Sequence, residues 1–207
     1  MTSIYEENIT EVKRLLQILK KAVDTFNEKE IFILKNGHSE QCLCGRLAYH
    51  LQQVILSTED YSDYIVDVEY NRGMQGIDKE VKSIGTGPCR LDIAAHKRDY
   101  DSSKGGYDNL IAIEVKKQYQ SEEKKQKDRN RLQILTNDKG RFHFKLGALI
   151  IANNERLEVS NLYSYYAGAK RSTDEGQENL ISRKDRDTEI KDTWIEIIEN
   201  GCIPNFV

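Results

Sequence analysis

Three residues have the types and spacing for hydrolytic chemistry: Asp92, Glu114 and Lys116. Glu114 and Lys116 interrupt an otherwise apolar run, Asn109–Gln118, read N-L-I-A-I-E-V-K-K-Q. Leu110, Ile111, Ala112, Ile113 and Val115 mark that run as a buried strand, because aliphatic and β-branched side chains suit a pleated, packed surface. Residues two apart in a strand point to one face, so the carboxylate and the ammonium emerge side by side. Burying such charges is costly unless they are paired or bind a metal. Asp92 is embedded in the same way in Cys89–Lys97, C-R-L-D-I-A-A-H-K. Acids of this kind suit a hard cation, since Mg²⁺ takes one or two carboxylates plus waters and phosphate oxygens. A metal lowers the pKa of its bound water and polarises a phosphoryl oxygen. A lysine beside it stabilises developing charge or orients the nucleophile. Phosphodiester hydrolysis needs these residue types.

The elements that must position them can be read in order. Ile9–Phe26 carries a helical stripe of Val12, Leu15, Leu16, Leu19, Val23 and Phe26, with Asn8 or Thr10 as its cap. This helix is scaffold. Ile31–Leu34 is apolar but too short to assign. Ser39 is an N-cap for a helix reaching Ile55 through Leu43, Leu47, Leu51 and Val54. Glu40 sits in its first turn, either as an acid that complements the helix dipole or as a carboxylate aimed at a cation. Tyr64–Tyr70 alternates as a half-buried strand, with Asp67 and Glu69 on one face. Arg72–Gly76 reads as turn and loop, followed by a long polar connection to Pro88.

Cys89–Lys97 is the next strand, and Arg98–Asp108 is turn chemistry that should join it to the Glu114 strand as a hairpin. Antiparallel neighbours would then bring Asp92 and Glu114 together on one face. Ser121–Asn137 reads as a helix capped by Ser121, with Lys124, Lys125, Lys127, Arg129 and Arg131 on it and Leu132 and Leu135 as its apolar side. It is either a solvated surface helix or, following the Glu/Lys strand, a phosphate-contacting face. Phe144–Ala152 is a fourth, fully covered strand. Leu157–Tyr166 brings Tyr163, Tyr165 and Tyr166, which pack on the sheet or stack on bases. Lys170–Lys191 reads as loop with weak helix, and Thr193–Glu199 as a short helix around Trp194.

Composition bounds the function classes. The 207 residues suit one domain with a sizeable core. There is no apolar run of membrane-span length and no signal-peptide pattern, so the expected compartment is the cytoplasm. Cys42, Cys44, Cys89 and Cys202 lack zinc-site spacing and read as free thiols. The net charge of −3 excludes polyanion binding by bulk charge, but from Lys116 to Lys145 basic residues outnumber acidic ones about two to one. No P-loop, Rossmann glycine pattern or G-x-S-x-G occurs.

With its Leu91-Asp92 and Glu114-Val115-Lys116, the chain resembles the PD-(D/E)XK nuclease superfamily, the restriction-endonuclease-like proteins. The stretches S-E-Q-C-L-C-G-R-L-A-Y-H-L, V-D-V-E-Y-N-R, L-D-I-A-A-H-K-R and I-A-I-E-V-K-K look like an uncharacterised bacterial branch of it. Leu91 replaces the proline of the pattern, which alters strand entry but removes no ligand. The resemblance spans about residues 37–152. It implies an α/β fold in α-β-β-β-α-β order around a mixed four-stranded sheet flanked by helices; the N-terminal helix (1–30) and a C-terminal extension (153–207) lie outside the resemblance, in the same single domain. It further implies that Asp92 and Glu114 hold Mg²⁺, or Mn²⁺ in its place, that Lys116 serves the nucleophile, and that Glu40 is an accessory acid of the metal site. Lys117, Lys124, Lys127 and Arg131 would contact nucleic acid, and Glu69 and Asp128 match recurrent positions without an assigned role. The expected activity is metal-dependent cleavage of nucleic acid, DNA foremost, with a homodimer suited to cutting both strands. The alternatives are a catalytically silent nucleic-acid-binding or regulatory domain of the same fold, and a structural partner whose basic helix docks protein.

Overall fold

The computed structural model describes residues 4–70, 72–75, 79–81, 83–84, 87–88, 90–98, 108–136 and 142–164. It is an α/β protein built on a five-stranded mixed sheet. In chain order the elements are α1 (Ile4–Lys29), α2 (Ile31–Lys35), α3 (Glu40–Leu56), a 3₁₀ turn (Glu59–Tyr61) and β1 (Ile65–Tyr70). There follow β2 (Arg72–Gln75), β3 (Lys79–Val81), β4 (Ser83–Ile84), β5 (Gly87–Pro88) and β6 (Leu91–His96). The chain continues through β7 (Asn109–Lys117), α4 (Glu122–Leu135), β8 (Leu146–Ala152) and β9 (Leu157–Tyr163).

The large sheet runs β1-β6-β7-β8-β9. β6 is antiparallel to β1 and β7, β7 and β8 are parallel with α4 between them in the chain, and β9 returns antiparallel to β8. The hairpin expectation for β6 and β7 therefore holds at the level of pairing, while residues 99–107 of its turn lie outside the described residues. The expected sheet of four strands is corrected to five. Leu157–Tyr163 has no clean two-residue alternation, and it becomes a strand because β8 offers it an open edge. The stretch read as loop contains two small antiparallel ribbons, β2–β3 and β4–β5, whose strands of two to four residues are too short for periodicity to reveal.

Two cores sandwich the sheet. On one face, Leu15, Leu16, Leu19 and Phe26 of α1 and Leu43, Leu47, Leu51 and Ile55 of α3 pack over Ile93, Ile111, Ile113, Val115 and Ile150. On the other, Leu132 and Leu135 of α4 pack with Phe142 and Phe144 over Ala94, Ala112 and Leu149. Gly147 permits the second contact: a Cβ there would come within 3.0 Å of Thr136 Cγ2. Tyr163 is buried in this second core, which places it on the sheet. Tyr165, Tyr166 and the expected helix around Trp194 fall outside the described residues.

Helix ends follow their local chemistry in part. Ser39 caps α3, its hydroxyl accepting from Cys42 N at 3.2 Å. Ser121 precedes α4 in extended conformation, but its side chain makes no cap bond. α1 begins at Ile4, so Asn8 and Thr10 lie within it and are not its cap. Ile31–Leu34 resolves as part of the one-turn helix α2.

Glu30, between α1 and α2, ties this corner to α3. Arg46 Nε donates to Glu30 Oε1 at 2.9 Å, Arg46 Nη2 contacts the same oxygen, and His50 Nε2 lies 2.9 Å from it. The Arg46 guanidinium holds the Glu30 carboxyl below its ordinary value near 4.5, against the opposing effect of burial. A depressed carboxylate stabilises the fold above its unfolded pKa, and that contribution is lost as pH falls through the folded value. Glu30→Gln should therefore lower stability by about 1–3 kcal/mol at neutral pH. Chemical denaturation of both proteins from pH 7 into acid should show the difference shrinking below the ordinary carboxylate range, and a pH-independent difference would refute the assignment.

Candidate active site

The strand β7 carries apolar side chains to one face and Ala112, Glu114 and Lys116 to the other, beneath α4. Three sequence-predicted residues meet there as their spacing requires. β6 and β7 pair Ile93 with Ile113 and Ala94 with Ala112, which sets Asp92 beside Glu114 across the ladder. Asp92 Oδ2 accepts the backbone N–H of Val115 at 2.9 Å, so the strand itself orients the carboxylate. Lys116 Nζ lies 3.4 Å from the same Oδ2 and donates to Val115 O at 3.0 Å.

Glu40 reaches the cluster from the start of α3. Its Oε2 is 3.7 Å from Lys116 Nζ, and its Oε1 accepts from Gln120 Nε2 at 2.9 Å. The fourth acid is Asp128 of α4, 5% exposed, with Oδ2 3.3 Å from Lys116 Nζ in an ion pair that lacks hydrogen-bond geometry. Arg131 closes the group: its Nη1 donates to Glu114 Oε1 at 2.6 Å and lies 3.2 Å from Asp128 Oδ1. Four carboxylates thus face two cations, leaving two formal negative charges in excess within the group.

That excess appears in the proton affinities. Burial, then the neighbouring Asp92 charge, push Glu114 well above the ordinary carboxylate range, outweighing Arg131. Burial likewise raises Asp128 against the pull of Lys116 and Arg131. Burial works to lower Lys116, but the surrounding carboxylates, Asp92 foremost, outweigh it and hold the ammonium above its ordinary range. Cys44 of α3 is buried within the field of this cluster. Desolvation and then the Asp92 charge raise its thiol, so it forms a neutral part of the surroundings.

Glu114 Oε2 and Asp128 Oδ2 are buried without a hydrogen-bond partner, and the Glu114 side chain is wholly shielded from solvent. A buried carboxylate oxygen without a hydrogen bond is expensive, and a bound cation is one way to relieve it; Asp128 Oδ2 already faces the Lys116 ammonium. Among the described residues, no group of three or more His, Cys, Asp or Glu side chains has a metal-holding arrangement. Mg²⁺ does not require one, because it is commonly bound by one or two carboxylates with waters and phosphate oxygens. The donor set of Asp92 and Glu114, with Glu114 Oε2 unpartnered, fits that mode.

The remaining sequence-predicted residues divide. Lys117 Nζ donates to Gly37 O at 3.1 Å and stands 5.7 Å from the Tyr119 ring centroid. Lys124 donates to Gln120 Oε1, and Lys127 pairs with Glu123 on the exposed side of α4. Arg131 is turned inward onto Glu114 and Asp128. Glu69 lies in register next to Asp92, yet its carboxylate pairs with Arg90 at 3.7 Å. Its φ of 50° breaks the alternation read for Tyr64–Tyr70.

Asp128, a recurrent position without an assigned role in the sequence resemblance, is a member of the cluster. The signal was present: Asp128, Leu132 and Leu135 share the i, i+4, i+7 stripe that α4 buries, so an acid stood among inward positions. Cys42 and Cys44 are free thiols, as their spacing indicates, while Cys89 and Cys202 lie outside the described residues.

No protein-family profile matches this chain, and neither a curated protein nor a solved structure matches it. No helix among the described residues is long and apolar enough to cross a membrane.

A carboxylate whose folded pKa is raised favours the fold below its unfolded pKa and loses that contribution as pH climbs through the folded value. Glu114→Gln removes the buried charge with little change of shape. In EDTA buffer its melting temperature should exceed that of the parent, and the gap should widen as pH rises above the ordinary carboxylate range. A variant less stable than the parent across this range would show that the Arg131 pair dominates.

Proposed function

We infer that this chain is a divalent-cation-dependent nuclease acting on nucleic acid, DNA foremost, with a restriction-endonuclease-like core. The observation that carries the reading is the convergence of Asp92, Glu114 and Lys116 on one sheet face, with a solvent-shielded Glu114 oxygen left unpartnered and negative charge in excess. The element order α3, β1, β6, β7, α4, β8 also supports it, with β9 and the two ribbons as additions.

Asp92 and Glu114 would hold Mg²⁺ or Mn²⁺, with Glu40 as the accessory acid. The bound ion supplies Lewis acidity and a water of lowered pKa. The protein's own groups do the rest. The Val115 N–H fixes the Asp92 carboxylate in position. Lys116, held as an ammonium by the surrounding carboxylates, would stabilise charge developing on the phosphate. Arg131 balances Glu114, and Asp128 holds Lys116 from behind. Lys117, Lys124 and Lys127 would contact the phosphate backbone, and their contribution would weaken with salt. A homodimer would supply the second site for cutting both strands.

One observation favours a second reading. Arg131 and Lys116 already occupy much of the carboxylate group, as in a domain that binds nucleic acid without cutting. The two separate in one assay. Plasmid and labelled oligonucleotides are incubated with Mg²⁺ or Mn²⁺, with and without EDTA. Cleavage should appear only with metal, and Lys116→Ala should reduce its rate by about 100- to 1,000-fold, the scale of losing one charge-stabilising donor. Cleavage unaffected by EDTA or by Lys116→Ala would overturn the nuclease reading, and metal-free binding without cleavage would favour the silent domain.

A further inference from the structure

A cavity of about 420 Å³ opens immediately next to the carboxylate cluster. Ile33, Leu34 and His38, from α2 and the turn before α3, form one side. The other side is the carboxyl ends of the parallel strands β7 and β8 with the turns beyond them, including Lys117, Tyr119 and Asn154. Crevices at the carboxyl ends of parallel strands are where open α/β sheets take ligands. The size lies within the range of small-molecule sites. Lys117 joins the two sites: its side chain lines the cavity, its backbone N–H approaches Glu40 Oε1 at 3.5 Å, and its neighbour Lys116 sits among the carboxylates.

The lining is mixed in a particular way. One side is aliphatic. At the other, Tyr119 holds its ring out at 78% exposure, with the Lys117 ammonium 5.7 Å from its centroid. Across the cavity, His38 lies 6.3 Å from the ring of Phe32, itself 69% exposed. An exposed aromatic ring beside a lysine is the pairing that unpaired nucleic acid uses, the ring stacking on a base and the ammonium meeting its phosphate. A base within a duplex has both faces covered and cannot enter. Tyr119 is three positions after Lys116, at most about 11 Å away along the chain, so the ring and the cluster lie close together.

We propose that this cavity binds one unpaired nucleotide adjoining the phosphate presented to the carboxylate cluster, its base stacked on Tyr119 and its phosphate met by Lys117. The proposal rests on the hydrolytic reading of the cluster and narrows its substrate to nucleic acid with an unpaired nucleotide beside the scissile bond: a single strand, a flap or a frayed end.

The test measures binding apart from cleavage. Fluorescence titration with a single-stranded oligonucleotide carrying 2-aminopurine is run in Ca²⁺ buffer, with the same sequence as a duplex in parallel. The parent protein should quench the single-stranded probe. Tyr119→Ala should weaken its Kd by about 5- to 150-fold, the range for one lost base–aromatic stack, and Tyr119→Phe should restore it. Duplex binding should not respond to either change. A single-strand Kd within twofold of the parent for Tyr119→Ala, an equal loss on duplex, or no binding at all would overturn the proposal. Cleavage in Mg²⁺ is scored separately. Tyr119-dependent binding without cleavage supports the nucleotide cavity while sinking the nuclease reading, and cleavage without Tyr119 dependence does the reverse.

Discussion

The structure depends on how a charged pair is carried into the buried end of β7. Glu114 has no access to solvent, and Lys116 beside it is only 15% exposed. Isolated charges in such a place would cost several kcal/mol each. They persist because elements from both sides of the sheet converge on them. The β6 strand brings Asp92, α4 brings Asp128 and Arg131, and α3 brings Glu40. The balance is incomplete, since acids outnumber bases and the buried Glu114 Oε2 has no hydrogen-bond partner. A fold selected for stability alone would have little use for that deficit, because apolar residues of similar volume commonly serve as well. The deficit is a local cost to stability that the surrounding packing offsets.

The two cores explain how the cluster keeps its place. The face under α1 and α3 is broad and aliphatic, so the sheet is anchored from that side. The face under α4 is smaller and is made largely by Leu132, Leu135, Phe142 and Phe144. Thus α4 carries a narrow apolar strip and delivers Asp128 and Arg131 from the same helix. Its approach to β8 is close because Gly147 offers no side chain. The position of the polar group is therefore set by apolar packing a turn or two away.

Much of the framework was legible from sequence because its signals are local. Ser39 and the stripe from Leu43 to Ile55 announce α3, and the aliphatic run around Glu114 announces β7. What went unread depends on neighbours distant in the chain. β9 is a strand because β8 has a free edge, and its own sequence alternates poorly. Asn8 and Thr10 are good caps by type, yet α1 starts earlier. Ser121 has the right residue and backbone shape, but its side chain finds no donor.

Residue order alone makes the chemistry available: Asp92, Glu114 and Lys116, with two-residue spacing that puts the last two on one face. That follows from the fixed pleat of a strand. What surrounds them is set by how the layers assemble. Asp128 is a surface acid or a cluster member depending on which face of α4 meets the sheet. Arg131 is a phosphate ligand or a counter-ion depending on the height of α4 above β7. Burial, which raises Glu114 and Asp128 and opposes the charge of Lys116, is a property of the assembled layers rather than of any segment. The cavity flanked by Tyr119 and His38 is likewise formed by segments some eighty residues apart. Their meeting is set by sheet order, and no local pattern encodes it.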